Sequence, residues 1–226
     1  MSKFTEFKIV SDHIGILTLS RGPLNALSSD FLIEITNKIK DIVNSECRVL
    51  IINSGLDNFS VGADLKERKI MSKSQSKEAL NIFNDCFNSI EDLDIPTICL
   101  INGYCLGGGT ELSLACDIRI GSNDSIIGLP ETSIGIIPGA GGNLRMILNA
   151  IDSDSGRMGA FQKIKDIFEI VGFAKIARSA DEAKYLGYLK KTDTIVMNRN
   201  HLLKISKNKA IEFSQNYVAP KYRDDL

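Results

Sequence analysis

Histidine is nearly missing from this 226-residue chain: only His13 and His201 occur, too few for a histidine-rich metal centre. Five cysteines (Cys47, Cys86, Cys99, Cys105 and Cys116) are scattered, with no Cys-x-x-Cys pair. They read as reduced, partly buried thiols, and no disulfide framework or metal is expected. No run approaches the ~18 unbroken apolar residues of a membrane span. The first residues, Met1-Ser2-Lys3-Phe4-Thr5-Glu6, hold no apolar signal core, so a cytoplasmic address is expected. Charge of one sign is also lacking. A formal net charge of −1 gives no general pull towards nucleic acid or an anionic membrane. Low-complexity tracts and internal repeats are absent from the sequence.

What is present suits a large single domain. Hydrophobic content of 43% and charged content of 24% are ordinary globular values, and a chain this long buries enough apolar surface to fold unaided. Residues 7–20 alternate loosely, with Phe7, Ile9, Ile14, Ile16 and Leu19 among polar neighbours, and predict two short strands. Ser28 or Ser29 is placed to cap a helix carrying Phe31, Leu32, Ile35, Ile39, Ile42 and Val43 on one face. Val49-Leu50-Ile51-Ile52 suits a strand buried on both faces. A second amphipathic helix carries Leu80, Phe83, Phe87 and Ile90, followed after Pro96 by the strand Thr97-Ile98-Cys99-Leu100-Ile101. A glycine-rich turn then leads to a helix starting near Thr110. Strands alternating with helices predict an α/β domain with largely parallel pairing. After Arg145 the texture turns helical. Asp152–Gly156 reads as a loop, Ser179 and Glu182 fit a capping box, and a last helix is expected over about 199–216.

Three segments carry candidate chemistry. Gly103-Tyr104-Cys105-Leu106-Gly107-Gly108-Gly109-Thr110-Glu111 joins a strand to a helix. It is not a phosphate-binding loop, since Gly109 stands where the lysine belongs, and no G-x-G-x-x-G fingerprint occurs there. Either it is a tightly packed turn, or its bare backbone lets a substrate reach N–H donors at a helix start, suited to a carbonyl that becomes negative. Gly62-Ala63-Asp64 is a second donor loop or a simple turn. Glu131 sits in Gly128-Leu129-Pro130-Glu131 ahead of the apolar Gly135–Gly142 stretch. It is a surface glutamate, or an acid whose pKa poor solvation raises. Glu111 is likewise a helix-dipole partner or a catalytic carboxylate.

Taken together, Asn25-Ala26-Leu27, Gly62-Ala63-Asp64-Leu65-Lys66, Asn102-Gly103-Tyr104, Gly107–Leu112, Cys116-Asp117, Leu129-Pro130-Glu131 and Gly135–Gly142 resemble the enoyl-CoA hydratase/isomerase (crotonase) family. The resemblance is close over residues 7–145. It implies an α/β fold, a crotonase-like spiral of ββα units with a helical C-terminal region. On that pattern residues 1–145 form the core, and 146–226 serve assembly and completion of the pocket. It further implies an oxyanion hole from the backbone N–H groups of Ala63 and Gly108, with Glu111 activating water and Glu131 donating a proton. Substrate contacts are implied at Ala26, Gly62, Asp64, Leu65, Pro130 and Gly139. The implied substrate is an acyl-CoA thioester, with coenzyme A part of the substrate and no cofactor or metal. Homo-oligomers, trimeric or hexameric, are the family's habit. The stretch from Ala174 to Arg199 is similar to hydratase modules linked to 3-hydroxyacyl-CoA dehydrogenases. This chain holds no dehydrogenase fingerprint, so any oxidation is expected on a separate polypeptide. Hydration is the first reading. Isomerisation or decarboxylation of an acyl thioester, a non-catalytic acyl-CoA-binding subunit, and nucleotide binding are the alternatives.

Overall fold

The computed structural model describes residues 3–152 and 159–219. Its strands are β1 (Thr5–Ile9), β2 (Ile14–Leu19), β3 (Val49–Ser54), β4 (Thr97–Ile101), β5 (Tyr104–Leu106), β6 (Ile118–Ser122), β7 (Ile126–Gly128), β8 (Ile176–Ala177) and β9 (Thr194–Val196). The helices are α1 (Ser29–Val43), α2 (Leu65–Lys69), α3 (Lys73–Glu91), α4 (Gly108–Leu114), α5 (Gly142–Asp152), α6 (Ala160–Gly172), α7 (Ala180–Tyr185) and α8 (Leu202–Asn216). A six-stranded sheet runs β1-β2-β3-β4-β6-β9, antiparallel at β1–β2 and parallel thereafter. A smaller sheet of β5-β7-β8 completes the α/β spiral, which leads into helices.

Both faces of the large sheet are buried, which explains the unbroken apolar text of its central strands. Leu17, Leu19, Leu50, Ile52, Cys99 and Ile101 face the main core with α1 and α3. Ile14, Ile16, Val49, Ile51, Ile98 and Leu100 face the other way, towards Leu202 and Ala210 of α8. Truncating one such side chain, as in Ile51→Ala, costs about 2–5 kcal/mol.

Most expected elements occur, with corrections. Ser28 is the cap of α1 and accepts from Phe31 N. Val43, expected on the apolar face, is 66% exposed because it lies one residue beyond Ile42, turned off the buried stripe Ile35-Ile39-Ile42. The glycine-turn helix begins at Gly108, two residues before Thr110, since the backbone of Gly108 and Gly109 already winds as helix. Asp152 ends α5, while residues 153–156 of the expected loop lie outside the described residues. Ser179 caps α7, yet Glu182 accepts from Arg178 N instead of closing the box on the cap residue. The last helix starts at Leu202, after a short 3-10 turn over Arg199–His201. All five cysteines are free and buried. Among the described residues, no helix is long and apolar enough to cross a membrane.

A buried ion pair ties β6 to the residue just before β9. Arg119 on β6 donates from Nε to Asp193 Oδ2 at 2.7 Å, and both side chains are wholly buried. Asp193 also accepts from the backbone of Arg119 and Lys190, so its lone pairs are well used.

Candidate active site

The first wall of the site is built by Asn25. Its amide donates to Leu19 O, Phe59 O and Ser54 Oγ, and its Oδ1 accepts from Arg21 N. Those bonds hold a left-handed backbone at φ 50, which delivers the next residues to the loop at 62–64. Leu27 N then donates to Gly62 O, and Asp64 N donates to Leu27 O. This pairing leaves the intervening Ala63 N–H without a protein acceptor among the described residues. Gly62 adopts φ +86, and a Cβ there would stand 2.7 Å from Leu106 O and 3.1 Å from Gly108 N. The two donor loops therefore touch, backbone to backbone, in a contact only glycine permits.

Gly108 opens α4, and its N–H likewise has no acceptor among the described residues. Two unused N–H groups thus lie on the two touching loops, one of them at a helix start, and donors so placed are suited to an oxygen that gains negative charge. The strand-to-helix turn beneath them is fixed from below. Gly107 N donates to Gly128 O, and the Thr110 hydroxyl lies 2.6 Å from Cys105 O and 2.8 Å from Gly128 O. Those bonds also fix the end of β7, from which the chain enters Pro130-Glu131.

Glu111 projects from the first turn of α4 and is 3% exposed. Its Oε1 accepts from Ala140 N at 2.8 Å and Gly142 N at 3.0 Å. Burial raises its pKa, opposed by those two bonds and by the Arg145 and Arg68 cations. Gly142 is needed here, since a Cβ on it would stand 2.9 Å from Glu111 Cγ. Glu131 begins a short 3-10 turn, Glu131–Ile134. Its Oε2 is buried with no hydrogen-bond partner among the described residues, and its pKa is raised to about 7, chiefly by burial and further by the Glu111 charge. Two buried carboxyl groups thus share one site in different settings, Glu111 held by two backbone amides and Glu131 with an unpartnered oxygen and a pKa raised to about 7.

The remaining expected contacts divide. Gly62 lies between the donor loops. Pro130 precedes the 3-10 turn that carries Glu131. A Cβ on Gly139 would meet Leu80 Cδ1 at 2.9 Å, so this glycine lets α3 approach the loop. Ala26 O accepts from Arg21. The Asp64 carboxylate is committed to structure: it caps α2 and pairs with Arg21 at 2.8 Å. Burial opposes its charge, but the Arg21 bond and the α2 amides outweigh it and hold the pKa below the usual value. Leu65 is 58% exposed.

Residue patterns did not disclose the supports of the two carboxylates. Ala140 and Gly142 hold Glu111 through backbone N–H groups, which leave no side-chain signature. Leu129 N donates to Tyr188 OH, which donates to Lys175 O, and Thr132 donates to Val171 O. These bonds anchor the Glu131 segment on α6 and the stretch beyond it.

The known proteins that this chain resembles share one family description. The enoyl-CoA hydratase/isomerase family model matches residues 10–158. The chain is 41% identical over 143 residues to an enoyl-CoA hydratase/isomerase of Bacillus subtilis, covering 62% of this chain and 55% of that protein. It is 43% identical over 125 residues to the human mitochondrial methylglutaconyl-CoA hydratase, covering 54% and 37%. A crystal structure of enoyl-CoA hydratase from Bacillus anthracis superposes with TM-score 0.81 at 32% identity, covering 95% of this chain and 78% of that one. The matches to the curated relatives span about half of their length or less. With the family model matching about two thirds of its length on this α/β spiral, the chain belongs to the enoyl-CoA hydratase/isomerase family.

Proposed function

We propose that the protein adds water across the C2=C3 bond of a 2-enoyl-CoA, giving a 3-hydroxyacyl-CoA. The observation that carries this reading is the contrast between Glu131, its carboxyl raised to about 7, and Glu111, pinned by two amides. In this scheme the thioester oxygen sits between the Ala63 and Gly108 N–H groups. Glu111 takes a proton from the water that attacks C3, the oxyanion cradle holds the enolate, and Glu131 protonates C2. The residues at 26, 62–65, 130 and 139 border the path of the thioester. Every proton and electron pair is accounted for by two carboxyl groups and water, so the scheme calls on no metal or redox cofactor.

The names of the relatives cover simple and carboxylate-bearing acyl groups, which leaves the acyl group to be decided by this chain's own residues. The product suits a separate 3-hydroxyacyl-CoA dehydrogenase, and a cytoplasmic address belongs to the same proposal. So does a homo-oligomer: Phe161, Ile164 and Phe168 on α6 lie three and four residues apart, and all are exposed.

The test is incubation of purified protein with crotonyl-CoA. Loss of the enoyl-thioester absorbance, with deuterium at C2 in heavy water, supports hydration. An unchanged crotonyl-CoA together with conversion of a 3-enoyl-CoA to its conjugated isomer replaces it with isomerisation. Binding without conversion of either would make the chain a non-catalytic acyl-CoA-binding subunit.

A further inference from the structure

Four arginines of the described residues are at least half-buried: Arg21, Arg68, Arg119 and Arg145. Three of them meet a carboxylate, Arg21 with Asp64 at 2.8 Å, Arg119 with Asp193 at 2.7 Å and Arg145 with Glu91 at 2.6 Å. Arg68 has no ion pair within 4.0 Å, and its guanidinium makes no hydrogen bond among the described residues. It lies 5.0 Å from the centre of the Phe83 ring, stacked as a cation on its face. The nearby acids are engaged elsewhere. Asp64 holds Arg21 and the α2 amides, and Glu67 accepts from Ser29 N.

Phe83 is also a wall of the site. Its Cε1 stands 2.9 Å from the position a Cβ on Gly108 would take. One aromatic ring therefore separates the unpaired guanidinium from the oxyanion cradle, and its charge is felt at Glu111. On the hydratase reading given above, we propose that Arg68 receives the far carboxylate of an acyl group, so that the preferred substrates are 2-enoyl-CoA thioesters of dicarboxylic acids. The hydration step is unchanged: water adds O to C3 and H to C2, and the second carboxylate keeps its charge.

A short diacid is the candidate acyl group. With C–C bonds of about 1.5 Å, a five-carbon acyl group ends roughly 5 Å beyond its thioester carbon, and a guanidinium–carboxylate pair spans about another 3 Å. A four-carbon monoacid leaves the cation unmatched. A longer one presses a methyl group against it, and burying a charge beside apolar surface is unfavourable. The pyrophosphate and 3′-phosphate of coenzyme A are the competing anions. Lys66 and Lys69 of the same helix are exposed, whereas Arg68 is half-buried over Phe83.

The experiment compares glutaconyl-CoA with crotonyl-CoA, which share every coenzyme A contact and differ in the terminal carboxylate. The expected result is a kcat/KM at least about tenfold higher for glutaconyl-CoA. Arg68→Met should reduce that ratio by about tenfold or more, and Arg68→Lys should keep part of it. An equal fall for both thioesters in Arg68→Met would place the guanidinium on coenzyme A and overturn the proposal. Equilibrium binding of the saturated pair, glutaryl-CoA and butyryl-CoA, reads the same discrimination without turnover. Selective binding of glutaryl-CoA that Arg68→Met abolishes upholds the Arg68 site even where hydration fails. Equal binding by the wild-type protein overturns it even where hydration succeeds.

Discussion

A Cβ added to Gly107 would stand 2.9 Å from Glu131 Oε1, so the Glu131 carboxyl occupies space that any other residue at 107 would claim. Gly107 also holds φ +52, which L side chains rarely adopt. Gly107→Ala is therefore expected to push the Glu131 carboxyl away from its place beside the oxyanion cradle. On the proposed mechanism a misplaced general acid loses its contribution, typically about 10²-fold or more in kcat. Steady-state kinetics checks this, with circular dichroism establishing that the fold persists. A loss confined to KM would show that Glu131 stays in place.

Replacing either glutamate by glutamine keeps the size of the side chain and removes its proton chemistry. Glu111→Gln and Glu131→Gln should each lower kcat by about 10²–10⁴-fold. Because the two act on one water and one enolate, the double variant should be little worse than the poorer single. A fall below tenfold at both positions would be incompatible with the proposed mechanism. So would losses that simply multiply in the double variant.

The pKa of Glu131 gives the pH dependence its sign. Hydration needs the protonated form, so kcat should fall as pH rises through about 7. Stability is linked in the same direction. The folded-state pKa lies above the ordinary 4.5, so the folded protein binds the proton more tightly than the unfolded chain. The associated stability is fully present below about 4.5 and is lost as pH rises through about 7. Denaturant titrations at pH 5 and 8 should show a smaller pH-dependent loss in Glu131→Gln than in the wild type. An identical loss in both would mean that Glu131 titrates normally.

Residue types and spacings reveal elements whose side chains carry the pattern, and they miss what the backbone supplies. The runs at 49–52 and 97–101 name buried strands because both their faces must be apolar, and Ser28 names a helix start because its hydroxyl must cap. Glu111 and Glu131 stand out only as two glutamates among glycines, and the family resemblance is what pairs them. The pinning of Glu111 by Ala140 and Gly142 stays hidden, since an N–H donor is common to all residues but proline. Arg68 is hidden for another reason. That an arginine lacks a carboxylate partner is a fact of three-dimensional neighbours, and sequence spacing cannot express it.

The Arg119–Asp193 pair should matter for stability far more than a surface bridge. Both side chains are fully buried, so Asp193→Ala leaves a guanidinium in the core with the carbonyls of Ser113 and Cys116 as its partners among the described residues. Removing one partner of such a pair costs about 3–5 kcal/mol. Urea denaturation should register that loss as a lower midpoint. A change below about 1 kcal/mol, the level of an exposed pair, would show that water enters and solvates the arginine.

The last prediction concerns assembly. On α6, Ile167 and Val171 face the core, while Phe161 and Phe168 are 81% and 74% exposed. With Ile164 between them they form one stripe down the helix. Three large apolar side chains on one outward face form a contiguous patch of the kind that marks a protein interface. Closed symmetric homo-oligomers are the commonest way to cover such a patch, because each copy brings the same surface. The wild-type protein should therefore have the mass of an oligomer by light scattering. Phe161→Ser combined with Phe168→Ser should shift it towards the monomer without lowering monomer stability, since neither ring packs inside. A wild-type protein that stays monomeric at every concentration tested would refute self-association through α6.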